Sequence, residues 1–362
     1  MTRFVRWSCR LATWMALATG STCVTQADMP SIFGSSPYST TGSYMEDEAA
    51  AAPTAAEPTL ESGLDDCTCY EECCECVCPK WAVTAGAILM TRTDPNDDPL
   101  YRDAIDPLFG SQFNQGWEGG FQVEVARRGI NAGDELAARF FWIDGWSANA
   151  VANVPGDTEI ASNPPVTVIG PRHVASRMDS ELNSFELNYY LQSEWMPAVR
   201  WIAGFRGIEL DETIYTEMPY PGGGFPTVYH TVNARNRLYG GQLGAELRVL
   251  DYNRFRLKGF LLGGMYGNAA HNGSSAYDTF TAPIVVDDGG SVMSFVGETG
   301  LSGIYQMTEH WAVRADYRVM AVSGVALATE QVAASNFTTG LGYDTGGSVF
   351  YHGLFLGLDF AY

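Results

Sequence analysis

From Trp81 to the last residue, apolar and polar positions alternate with a period of two. In Trp117-Glu118-Gly119-Gly120-Phe121-Gln122-Val123-Glu124-Val125 the odd positions are apolar or glycine and most even ones polar, the pattern of a strand whose two faces meet different surroundings. The alternation recurs over about residues 81–92, 117–127, 134–146, 181–191, 198–210, 236–250, 254–266, 292–305, 311–322 and 350–362. At about 10 to 15 residues each, these segments exceed the ~5–6 of a soluble-protein strand and suit a tilted bilayer crossing. Every second link is brief, as in Leu250-Asp251-Tyr252-Asn253 and Gln306-Met307-Thr308-Glu309-His310, and the other five run to about 20 to 35 residues. Such alternation predicts an all-β fold: an antiparallel up-and-down transmembrane barrel of about ten strands, with short periplasmic turns and long outer loops. Strands inside the long links, at Val166 to Ile169 or Thr281 to Val286, would raise the count to twelve or fourteen.

The two faces differ in chemistry. One parity carries Phe121, Val123, Val125, Leu136, Phe140, Trp142, Phe185, Leu187, Tyr189, Leu243, Leu247, Val313, Tyr317 and Val319 and is assigned to lipid. A sheet in hydrocarbon must pair every backbone group, so it has to close. Trp81, Trp117, Trp142, Trp146, Trp195, Trp201 and Trp311, near segment ends, fit the aromatic girdles of such barrels. The opposite parity carries charge. Arg200, Arg206, Arg248, Arg254, Arg256, Lys258, Arg314 and Arg318 would face Glu118, Glu124, Glu186, Glu246, Glu298 and Asp316 across the lumen, a lining suited to passive passage of small polar solutes. Width opposes that reading. Eight strands leave an interior just filled by side chains, and general porins use about 16 to 18. With ten, the same charges can pair into a plug, leaving a structural or adhesive protein that presents long loops.

The first 80 residues read differently. Arg3, Arg6 and Arg10, then the apolar run Leu11 to Leu17 and the small-x-small site Thr25-Gln26-Ala27, predict a cleaved export signal over 1–27. The run is shorter than the ~18–20 residues of a spanning helix. Residues 28–80 read as a disordered acidic tether, and 81–362 as the barrel. All eight cysteines precede residue 80. Cys67, Cys69, Cys73, Cys74, Cys76 and Cys78 cluster among Asp65, Asp66, Glu71, Glu72 and Glu75, leaving open disulfides, internal or to envelope partners, a metal site built on Cys73-x-x-Cys76, or neither. A net charge of −21 argues against nucleic acid as a partner. No motif calls for a cofactor.

The chain ends on Leu354-Phe355-Leu356-Gly357-Leu358-Asp359-Phe360-Ala361-Tyr362, apolar at every second position and aromatic at the last. This resembles the terminal strand by which the barrel-assembly machinery recognises its clients, with Phe360 and Tyr362 as the signal. With Trp81-Ala82-Val83-Thr84-Ala85-Gly86 and Arg92-Thr93-Asp94-Pro95, residues 81–362 resemble the pore-forming outer-membrane barrels of the Legionella major-protein type and their planctomycete relatives. The resemblance implies a porin-like role in the bacterial outer membrane, among its lipids, with no catalytic set. A barrel hydrolase is the remaining alternative, using His173, His230 or His271 with Asp94, Asp97, Asp98, Asp278, Asp287 or Asp288 in outer loops. Asp94 to Asp98 lacks EF-hand spacing, and Gly222-Gly223-Gly224, flanked by Pro221 and Pro226, reads as a loop.

Overall fold

In the computed structural model, which describes residues 80–102, 107–130, 134–193 and 195–362, the alternating segments are strands of one closed sheet. The export signal, the tether and the cysteine cluster lie outside the described residues. The barrel strands are β1 (Trp81–Arg92), β4 (Glu118–Arg128), β5 (Glu135–Val154), β8 (Arg172–Gln192), β9 (Val199–Met218), β10 (Val228–Tyr252), β11 (Phe255–Asp278), β12 (Ile284–Gln306), β13 (Trp311–Val325) and β14 (Gly347–Ala361). Each pairs antiparallel with its neighbours. The barrel closes where β1 runs against β14, from Ala82 opposite Ala361 to Arg92 opposite Tyr351.

The predicted count of ten holds, and neither suggested stretch adds a strand to the wall. Val166 to Ile169 contributes β7 (Val166–Val168), which joins β2 (Pro99–Arg102), β3 (Leu108–Phe109) and β6 (Thr158–Ile160) in a separate sheet of order β3-β2-β6-β7. The stretch at Thr281 to Val286 runs into the start of β12. A short helix, α1 (Ala328–Ala334), lies between β13 and β14.

Strand lengths depart from the expectation. The consecutive strands β5, β8, β9, β10, β11 and β12 span 20, 21, 20, 25, 24 and 23 residues, so two of the five links expected to be long shrink to residues 219–227 and 279–283. At ~3.3 Å per residue and a tilt of ~40°, such strands rise roughly 50–60 Å, about twice the ~25 Å apolar band of an outer-membrane barrel. The outer face shows where lipid ends. Trp201 and Phe205, Leu243 and Leu247, Leu261 and Met265, and Leu354, Leu356 and Leu358 are exposed apolar residues of the belt. Further along the same parity stand Asp179 and Arg177 on β8, Glu209 and Asp211 on β9, Arg237 and Arg235 on β10, and His271 on β11. The apolar–polar alternation fades there because the outward partner of each buried residue is polar.

The protruding wall has its own core. Ala148, Ala150, Ala152, Val174, Met178, Ile214, Met218, Val232, Ala234, Ala270 and Ala276 turn inward and pack on Leu100, Tyr101, Leu108, Phe113, Ile160, Val168, Ala328 and Val332 from the small sheet, its connections and α1. Small residues on the wall make room for this filling. The outer half of the barrel is therefore a packed head.

Candidate functional site

The lumen below the head is where the inward charges meet. Period-two alternation sends Arg139, Glu186, Arg206, Glu298 and Arg318 inward from β5, β8, β9, β12 and β13. Arg139 Nη2 lies 2.6 Å from Glu186 Oε1 and 3.2 Å from Glu298 Oε1. Arg206 Nη1 is 2.6 Å from Glu298 Oε2, and its Nε is 3.5 Å from Glu186 Oε1. Because β10 and β11 separate β9 from β12 in the wall, the Arg206–Glu298 pair reaches over two intervening strands. Arg318 stands 3.6 Å from Glu298 and 3.7 Å from Asp316. Neutral groups complete the layer: Gln242 donates to Glu186 Oε2 and Asn188 Oδ1, Tyr266 donates to Gln242, and Arg206 Nε donates to Ser184 Oγ.

These groups are dry. Arg206 and Glu186 are 0% exposed, Arg318 1% and Glu298 2%, whereas a water-filled channel would wet the side chains lining it. Above them an apolar layer that includes Ile88, Phe141, Ile143, Trp146, Leu182, Ile208, Leu238 and Tyr351 fills the barrel. Higher still, Arg92 of β1 pairs with Glu212 of β9. Glu212 Oε2 also accepts the backbone N–H of Ala328, 2.8 Å away, at the start of α1. Ions buried singly would cost several kcal/mol each, and mutual pairing plus neutral donors offset that cost.

Toward the short-turn end, which such barrels turn to the periplasm, the lumen opens into a narrow vestibule of about 60 Å³. Its wall carries Arg128, Arg200, Arg256, Lys258 and Arg314 with Glu124, Glu135, Glu246 and Asp359, among Thr84, Tyr190 and Ser302. Arg200 Nη2 lies 2.7 Å from Glu246, Arg314 Nη1 3.4 Å from Glu124, and Arg128 Nε 3.2 Å from Glu135.

The residues expected to line a pore thus divide. Arg206, Glu186, Glu298, Asp316 and Arg318 form the dry ion layer, while Arg200, Arg256, Lys258, Arg314, Glu124 and Glu246 belong to the vestibule. Glu118 sits at the outer end of β4, and Arg248 is half-buried at the periplasmic rim, opposite Lys258. Arg254 is a correction: it is exposed in the turn between β10 and β11, where the strand parity on which it was placed has ended. Trp146 is another. It is fully buried in the apolar layer, donating from Nε1 to Met90 O at 3.2 Å, because a bulge at Gly145 (φ +105°) reverses the parity of β5. The ion layer also uses Arg139, and the pair above it Arg92 and Glu212. Glu212 shares the even parity of Ile202, Ile208 and Leu210, a signal that assigning this stretch to a loop concealed.

The three histidines expected in outer loops stand on strands. His271 faces outward, with Nε2 2.7 Å from Asp287 Oδ1, and outward-facing His173 meets Asn153. His230, near the outer end of β10 and beyond the lipid belt, points into the head, where Nδ1 lies 2.7 Å from Tyr101 Oη. Burial pushes its pKa down to about 4. Glu330 on α1, also above the belt, is pushed up to about 7 by burial and by Asp344, Glu212 and Asp98. The aspartates at 94–98 act as turn acceptors: Ser111 Oγ donates to Asp97 and Gln115 N to Asp94.

A family model described as "Putative beta barrel porin-7 (BBP7)" matches residues 157–342. No curated protein matches the chain. Among solved structures the chain is similar to the outer membrane protease OmpT from Escherichia coli, at 12% identity over 78% of this chain and 96% of that one, with a TM-score of 0.43. It is also similar to the toluene transporter TbuX of Ralstonia pickettii, at 8% identity over 78% and 90%, TM-score 0.25. An anion-selective porin from Comamonas acidovorans shows 8% identity over 78% and 98%, TM-score 0.16.

Proposed function

Since the chain belongs to the beta barrel porin-7 family, a family of outer-membrane barrels, we propose that it is a sealed one: a non-conducting structural element of the envelope that carries a packed head above the bilayer. The dry ion layer carries this reading. Six ionised side chains from five strands meet at 0–8% exposure, and moving ions through them would mean separating pairs in a medium where separation costs several kcal/mol per charge. The apolar layer and the head add two further barriers in series. Purified protein inserted into planar bilayers is expected to leave the baseline current unchanged. Discrete conductance steps from heat-modifiable, folded protein would sink the proposal.

Passage of small polar solutes is the second reading, and the vestibule favours it. A charged cavity open to one side resembles half of a pore whose other half is shut. Under this reading the bilayer recordings show closed intervals broken by steps whose size depends on voltage, so one experiment separates the two.

A further inference from the structure

The geometry points to a seat for the phosphate of an anionic phospholipid on the outer surface of the barrel, where β4 meets β1 at the short-turn end. Its central residue is Arg127. On β4 the lipid-facing parity runs Phe121, Val123, Val125 and then Arg127, which is exposed, so the guanidinium follows directly on the apolar belt. One two-residue step along a tilted strand descends about 5 Å. Arg127 therefore stands at the edge of the hydrocarbon, where the headgroup region begins. The register places Trp81 opposite it, and the guanidinium carbon lies 5.5 Å from the centre of the indole ring. That ring closes a row on the same outer surface. Trp311 and Phe360 are 4.7 Å apart, Phe360 and Tyr362 are stacked at 5.8 Å, and Tyr362 and Trp81 exchange backbone hydrogen bonds of 3.0 and 3.1 Å. Such a row of amphipathic rings marks the depth of the interface, and Arg127 ends it.

Charge selects the occupant. Among the described residues Arg127 has no carboxylate partner, whereas its neighbour Arg128 turns inward to Glu135 at 3.2 Å. Lys80 is exposed and likewise unpaired beside them, its carbonyl accepting from Arg128 N at 2.8 Å. The indole covers one face of the Arg127 guanidinium and leaves its N–H edge, a fork that matches two phosphate oxygens. Two cations with no acid to offset them attract an anionic headgroup and repel the ammonium of a zwitterionic one. The seat lies outside the lumen and is independent of whether the barrel conducts.

Native mass spectrometry of the full chain in detergent tests this, with phosphatidylglycerol and phosphatidylcholine of the same acyl chains as probes. We expect at least about fivefold more retained phosphatidylglycerol, the preference that one cation near an anionic headgroup confers. Arg127→Gln should lower that ratio to below about twofold. Trp81→Leu keeps the charge but frees the guanidinium from its ring, and should lower the ratio by about two- to fivefold. Arg254→Gln, in the exposed turn at the same end, should leave it unchanged. Heat-modifiable mobility of each variant shows that the barrel has formed. A ratio that survives Arg127→Gln or Trp81→Leu overturns the proposal, and so does an equal fall with Arg254→Gln, since any surface cation would then serve. Binding of inorganic phosphate with no preference between the two lipids would assign Arg127 to a soluble anion and likewise overturn it.

Discussion

At single positions, the consequences of a change follow from what the side chain faces. Glu298 accepts from two guanidiniums and stands 3.6 Å from a third, so Glu298→Leu leaves buried positive charge uncompensated. Loss of about 3–5 kcal/mol is expected, visible as a lower urea midpoint of the vesicle-folded barrel by tryptophan fluorescence. Replacing Arg206 and Glu298 together with Met and Leu should cost far less, since no lone ion remains. His230 gives the head a pH dependence of known sign. Its pKa in the fold, about 4, lies below its ordinary 6.5, so below pH 6.5 the unfolded head takes up a proton that the folded one refuses. Stability is full above pH 6.5 and declines as the pH falls toward 4, by at most about 3 kcal/mol. Glu330, with its pKa raised to about 7, contributes the opposite slope. The His230 effect is therefore read as the difference between wild type and His230→Asn in hydrogen exchange of the small-sheet amides at pH 7 and pH 4.5: the variant should be the more protected of the two at pH 4.5 relative to pH 7.

Among the elements, β5 shows how one residue redirects a strand. Up to Ile143 its odd positions face inward, and beyond Trp146 its even positions do. Gly145 makes the switch at φ +105°, a conformation that strains any β-branched residue. Gly145→Val is expected to cost about 1–3 kcal/mol and to loosen Trp146 from Tyr351, whose rings lie 5.4 Å apart. Loss of near-UV dichroism with retained far-UV signal would report it. The glycine was visible in the sequence, but whether it marks a bulge depends on the partner strand, because only pairing with β8 reveals the extra residue.

Over the whole molecule, lipid contact ends partway up the wall, and the two zones respond differently to charge. Leu243, 70% exposed, lies within the belt, so Leu243→Arg should destabilise the vesicle-folded barrel by roughly 2–4 kcal/mol. Thr213→Arg, on the same outer surface but among Asp211 and Asn233, should change little. Equal penalties at both positions would mean that the bilayer covers the full wall and that the head does not protrude.

Period-two patterning alone determined an all-β barrel, the ten strands, the lipid-facing parity and most charges of the lumen, because each depends on a residue and its immediate neighbours along one strand. Where the strands ended was less legible. Beyond the belt, water replaces lipid outside while a packed head replaces open solvent inside, so the apolar signal moves to the inner face and weakens to Ala and Val. Tertiary structure alone decided that Arg206 meets Glu298, that His230 is buried against Tyr101 and that Trp146 turns inward. Each of those facts joins residues separated by many strands or by a change of register. Closing the sheet brings opposite walls to within one side chain's length of each other, and at ten strands that distance lets the charges neutralise one another.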